Sequence, residues 1–184
     1  MTTDKTLLVL DVDETLVHTV DTTKESLPDR PADFLFGKNY HVYLRPHLQT
    51  FLGRCESRYT LAVWSAGGRA YIDFLLPRLF KNPHSLAFAW SSNRCGFRRL
   101  ETGEAFAIKD LKKVKKRGFR LERTLLVEDT PANGSRQYGN VVAVRPYMGE
   151  QDDDELLKLA TYLEKLYHRP NFRTVEKRGW RSRV

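Results

Sequence analysis

Residues 6–10, Thr-Leu-Leu-Val-Leu, form an apolar run without alternation, and the chain turns acidic where that run ends, in Leu10-Asp11-Val12-Asp13-Glu14-Thr15-Leu16. A strand that is apolar at successive positions is buried on both faces, which is the habit of parallel sheets covered by helices. Similar runs recur at 59–64, 86–90, 124–127 and 141–144, and amphipathic stretches at 46–55, 68–80, 110–118 and 152–167 alternate with them. This order predicts an α/β fold: a mostly parallel central sheet between two helical layers. Residues 40–44 form another candidate strand. The segment 21–38, with Pro28, Pro31, Gly37 and mixed charges, reads as a loop or flap after the first strand, and 91–104 as a loop or hairpin. Residues 1–168 are expected to form one domain. Beyond them, 169–184 are basic and poor in aliphatic side chains, and are expected to be a tail held loosely or ordered by a partner.

The 184 residues carry a formal charge of +8, which favours anionic partners but does not select among phosphoproteins, nucleic acids and membrane surfaces. No apolar run approaches the roughly 20 residues needed to span a bilayer. The N-terminus lacks the basic start and apolar stretch of a secretory signal, and there are only two cysteines, Cys55 and Cys95. Together these features predict a reducing intracellular compartment, the cytoplasm ahead of the nucleus, and no membrane partner.

The acidic turn carries the chemistry. Residues two apart on an extended chain point the same way, so Asp11 and Asp13 face one site at the carboxyl end of the first strand. Open α/β sheets place their ligands there. Two carboxylates this close repel each other unless a proton or a cation relieves them. A divalent metal does so, and it also lets a phosphate dianion approach an anionic nucleophile.

Asp11-Val12-Asp13-Glu14-Thr15-Leu16-Val17-His18 resembles the first motif of the haloacid dehalogenase superfamily, specifically its FCP/SCP-type phosphatases of phosphorylated protein tails. The similarity continues through Leu44-Arg45-Pro46-His47-Leu48, Ala62-Val63-Trp64-Ser65-Ala66-Gly67, Ile108-Lys109-Asp110-Leu111 and Leu126-Val127-Glu128-Asp129-Thr130-Pro131, in the family's order and spacing. The resemblance implies a Rossmann-like three-layer fold. Asp11 would be the nucleophile, forming an aspartyl-phosphate, and Asp13 the general acid and base. Thr15, Ser65, the Ala66 and Gly67 amides and Lys109 would hold the phosphoryl group. Mg²⁺ would sit on Asp11, the Asp13 carbonyl and Asp129, with Glu128 and Arg45 orienting the site from behind. Relatives commonly carry Asp-Asp or Asp-Asn where this chain has Glu128-Asp129.

Several of these residues also have plainer readings. Ser65 follows a strand and precedes a helix, where serine usually caps. Arg45 serves equally well in a structural salt bridge. Asp152-Asp153-Asp154-Glu155 suits a helix N-terminus, Cys55 suits the core, and the histidines lack paired metal-ligand spacing. The arginine expected three residues before Cys95 is replaced by Ser92, with Arg94 adjacent, so the family's substrate-facing arginine is displaced or missing. The short connection between Ser65 and Lys109 leaves no room for a large cap domain and predicts an open site. A phosphoserine or phosphothreonine protein is the first substrate choice. A nucleic-acid phosphate terminus, reached through the basic runs 112–120 and 169–183, is the second, and a small phosphate ester the third. Both catalytic acids are present, which argues against a non-catalytic scaffold of the same fold.

Overall fold

The structure, a computed structural model, describes residues 5–99 and 105–184. The expectations for the first four residues, and for 100–104 of the 91–104 segment, lie outside the described residues. Four strands read from apolar runs, β1 (Leu7–Leu10), β5 (Thr60–Trp64), β9 (Thr124–Glu128) and β10 (Val141–Ala143), join the short β6 (Ala89–Trp90) in one parallel sheet of order β10-β9-β1-β5-β6. Alternate residues of β1 feed two different cores. Leu8 and Leu10 pack with helices α1 (Leu48–Glu56), α2 (Arg69–Leu79) and α4 (Glu155–Tyr167), whereas Leu7 and Val9 pack with Leu111, Val114 and Phe119 on the opposite face. Burial on both sides explains why the run shows no alternation. The expected three-layer α/β/α architecture is what the chain adopts.

β1 lies at the centre, and the chain builds first to one side of it through β5 and β6, then to the other through β9 and β10. The crevice beyond its carboxyl end is therefore a topological switch point. Register places Leu10 beside both Val63 and Val127, so Asp11 emerges between the ends of β5 and β9.

The flap is more ordered than its composition suggests. β2 (Val17–Asp21), β3 (Phe34–Phe36) and β4 (Tyr40–Leu44) form a separate antiparallel sheet of order β2-β4-β3, so residues 40–44 are a strand outside the main sheet. Between β6 and Lys109, β7 (Gly96–Arg99) pairs antiparallel with β8 (Ala105–Ile108). The expected strand over 86–90 shrinks to its last two residues. The expected helix over 110–118 shrinks to α3 (Lys112–Lys115), where like charges crowd successive positions and Gly118 leaves in a left-handed conformation, φ 91°. The segment after Pro170 is not loosely held: Phe172 and Trp180 are buried in the main core, so the chain itself orders it.

Candidate active site

The loop after β1 is a tight turn in which the Leu16 amide donates to the Val12 carbonyl at 2.8 Å. Glu14 occupies the left-handed region at φ 53°, a costly conformation for a residue with a side chain. Two contacts fix it: the Tyr147 amide donates to the Glu14 carbonyl at 2.8 Å, and the His18 ring lies 3.4 Å from its carboxylate. Arg45 supports the same loop from beneath. It is fully buried, pairs through two nitrogens with both Asp153 oxygens at 2.8 Å, and donates to the Thr15 carbonyl at 3.1 Å. Arg45 therefore makes the structural salt bridge weighed for it, and the same side chain reaches the loop that carries Asp11 and Asp13.

Asp11 is buried at the mouth of the crevice. The Thr15 hydroxyl donates to its Oδ2 at 3.2 Å, and the Lys109 ammonium contacts its Oδ1. Lys109 is wholly buried. Its amide donates to the Asn133 carbonyl at 2.7 Å, and its ammonium also donates to Glu128 Oε2 at 2.7 Å. Asn133 donates to the other Glu128 oxygen at 3.0 Å. Burial alone would lower the Lys109 pKa, but the charges of Asp11 and Glu128 override it and hold the amine above its usual range. Burial raises the pKa of both carboxylates, and Lys109 only partly offsets that. One ammonium shared by two buried carboxylates leaves surplus negative charge.

Asp129 adds a third carboxylate, and ligand oxygens of Asp11, Glu128 and Asp129 lie within 4.8 Å of one another. Both Glu128 oxygens are engaged by Lys109 and Asn133, so the hard oxygens of Asp11 and Asp129, with Glu128 behind them, fit a divalent cation such as Mg²⁺. The Asp13 carboxylate does not belong to that trio. Its Oδ2 accepts from the Ser65 hydroxyl at 3.0 Å and its Oδ1 from the Tyr71 hydroxyl at 2.8 Å.

Ser65 does not cap α2. The N-cap is Gly68, without a side-chain cap bond, and the Ser65 oxygen instead accepts from the Gly67 amide at 2.7 Å. The Gly67 amide is thereby engaged, while neighbouring Ala66 is exposed beside it. Arg94 lies over the Trp90 ring, 4.7 Å from its centroid, so the adjacent arginine is held on an indole face. The acidic run before α4 does more than face the helix dipole: Asp153 serves Arg45, and buried Glu155 pairs with Arg181.

The structure thus brings Asp11, Thr15, Lys109, Glu128 and Asp129 together, sets Ser65 on Asp13 beside them, and ties Arg45 to the loop through the Thr15 carbonyl. Sequence reasoning missed Tyr71, together with Thr19 and Asn133. The signal available for Tyr71 was its place in the first turn of the helix that follows Ser65. Thr19 and Asn133 gave none, because they arrive from the insert and from a 3₁₀ stretch.

A family described as NLI interacting factor-like phosphatase matches residues 6–173. The chain belongs to that family. It is similar to nuclear envelope morphology protein 1 of Schizosaccharomyces pombe, at 24% identity over 88% of this chain and 33% of that protein. It is also similar to the human carboxy-terminal domain RNA polymerase II polypeptide A small phosphatase 1, at 29% identity over 89% of this chain and 60% of that one. Its fold resembles that of Fcp1, the RNA polymerase II CTD phosphatase of fission yeast, with a TM-score of 0.66 at 15% identity over 89% of this chain and 62% of that one. The chain thus spans between a third and three-fifths of the curated relatives named here. No helix among the described residues is long and apolar enough to cross a membrane. The expected preference for the cytoplasm finds no support in these relatives, one of which is named for the nuclear envelope.

Proposed function

We propose that this family member hydrolyses phosphate monoesters through a phosphorylated Asp11, with a phosphoserine or phosphothreonine protein as its substrate. The observation that carries the reading is the division of labour between the two acids. Asp11 is pinned between an ammonium and a hydroxyl, while Asp13 two residues on is held separately by two hydroxyls.

Asp11 attacks phosphorus along the axis opposite the leaving oxygen, and Asp13 gives that oxygen a proton as the ester bond breaks. Asp13 then takes a proton from the water that attacks the aspartyl-phosphate. Lys109 holds the nucleophile's rotamer and faces the negative charge that builds on the phosphoryl oxygens. Ser65 and the Ala66 amide would bind those oxygens. A divalent cation, held by Asp11, the Asp13 carbonyl and Asp129 with Glu128 behind them, would neutralise enough charge for a phosphate dianion to enter.

The substrate class draws on the family and on the named activities of relatives, which include phosphatases of an RNA polymerase II domain. The test compares a phosphoserine peptide with a 5′-phosphorylated oligonucleotide at two salt concentrations, using Asp11→Asn and EDTA-treated protein as controls. Faster peptide turnover that both controls abolish, and that Mg²⁺ restores after EDTA, is expected. Asp11→Asn activity within about tenfold of wild type would remove the nucleophile, since covalent catalysis has no substitute here. A steeply salt-dependent preference for the oligonucleotide would transfer the substrate to nucleic acid.

A further inference from the structure

Asp13 is held from outside the segment that carries it. The Tyr71 hydroxyl donates to Asp13 Oδ1 at 2.8 Å and lies 2.6 Å from the Thr19 hydroxyl. Tyr71 has a single proton and spends it on the carboxylate, so Thr19 must donate to Tyr71. The Tyr71 ring is fixed as well, meeting Phe36 edge-on with centroids 5.4 Å apart. Thr19 and Phe36 lie on β2 and β3, so the inserted sheet grips both ends of a side chain that belongs to α2. Gly67 permits the close fit: a Cβ there would come within 3.0 Å of both Ser65 Oγ and the Tyr71 ring.

We infer that Tyr71 is a positioning residue for the proposed phosphatase reaction, locking Asp13 so that Oδ2, on the Ser65 side, exchanges the proton with the substrate. Oδ1 is occupied as the acceptor of a tyrosine hydroxyl. Oδ2 instead meets Ser65, the hydroxyl proposed to bind phosphate, and becomes available when that hydroxyl turns to the phosphoryl group. In the first half-reaction a bond forms from Asp11 to phosphorus, the ester P–O bond breaks, and the Oδ2 proton passes to the leaving oxygen. In the second, water attacks phosphorus, its proton returns to Oδ2, and the bond to Asp11 breaks. The insert thereby acts on the chemistry as well as flanking the crevice.

This inference rests on the phosphatase reading, and the test separates the two. Tyr71→Phe keeps the ring and its contact with Phe36 and deletes only the hydroxyl. Wild type and variant are compared by kcat/KM, which reports the steps through formation of the aspartyl-phosphate, over substituted phenyl phosphates of rising leaving-group basicity. Help from a general acid matters most for the most basic leaving groups. A misplaced Asp13 should therefore cost about tenfold or more at that end of the series and less than about threefold at the acidic end, steepening the plot. Thr19→Val, which lets Tyr71 swing without removing it, should steepen the plot in the same direction by less. A purely structural role would lower every substrate alike, so parallel lines, or no loss at all, overturn the inference and leave the reaction assigned. Wild-type protein inert toward every ester would overturn both.

Discussion

Lys109 joins the site's electrostatics to its stability, because its ammonium is the charge that makes Asp11 and Glu128 tolerable side by side in the interior. Breaking a buried ion pair by removing one partner costs about 3–5 kcal/mol, since the remaining charges are left uncompensated. Lys109→Met, similar in volume and uncharged, should lower the melting temperature in EDTA by roughly ten degrees. It should also cut turnover of an aryl phosphate by about a hundredfold or more, the scale of losing one fixed positive donor at a developing negative charge. Parallel melts and initial rates decide it, and a variant within tenfold of wild type would remove Lys109 from the reaction. The residues of this first circle were legible because carboxylates and a lysine beside apolar strands leave few chemical alternatives. Tyr71 was not, because an aromatic in a helix ordinarily packs in the core, and its hydroxyl meets Asp13 only once the helix is docked.

Among the elements, the loop after β1 depends on a brace that spans the chain: Arg45 follows β4, Asp153 precedes α4, and their pair carries the Thr15 carbonyl. Burial would raise the Asp153 pKa, but the hydrogen bonds and charge of Arg45 override it and leave the pKa below its ordinary value. A carboxylate depressed on folding contributes stability above its unfolded pKa, near 4, and loses it as pH falls through the folded value. Asp153→Asn should therefore melt well below wild type at pH 7, with the gap closing toward pH 3. A gap unchanged between the two pH values would show that the pair contributes no pH-linked stability. The Arg45 half of this brace was visible in Leu44-Arg45-Pro46, but its partner was hidden in an acidic run that any helix start accommodates. Buried parallel strands declared themselves by unbroken apolarity. The insert did not, since β3 has three partly exposed residues after two prolines and gains its order only by pairing with β4.

For the molecule as a whole, three cations near the C-terminus are engaged by the chain's own groups, while Arg169, Arg173 and Arg178 stay exposed. Lys177 donates to the Phe172 and Val175 carbonyls, Arg183 to those of Glu176 and Arg178, and Arg181 pairs with buried Glu155. Lys177 and Arg183 terminate backbone groups and Arg181 a buried carboxylate, and they hold to the core a segment that composition alone had suggested was loose or ordered by a partner. Trp180 anchors the closure. It is buried, stacks on Tyr162 with centroids 5.4 Å apart, and donates its indole N–H to the Ala143 carbonyl at 2.7 Å, at the end of β10. Replacing a buried tryptophan by alanine costs about 3–5 kcal/mol through lost burial and the cavity left behind. Trp180→Ala should accordingly melt roughly ten degrees lower, as read by circular dichroism. Because Trp180 touches β10 and α4 and none of the groups around Asp11, kcat at a temperature where the variant stays folded should match wild type. A melt within two or three degrees of wild type would place the segment outside the cooperative core, and an unchanged melt with lost turnover would give it a role at the site instead.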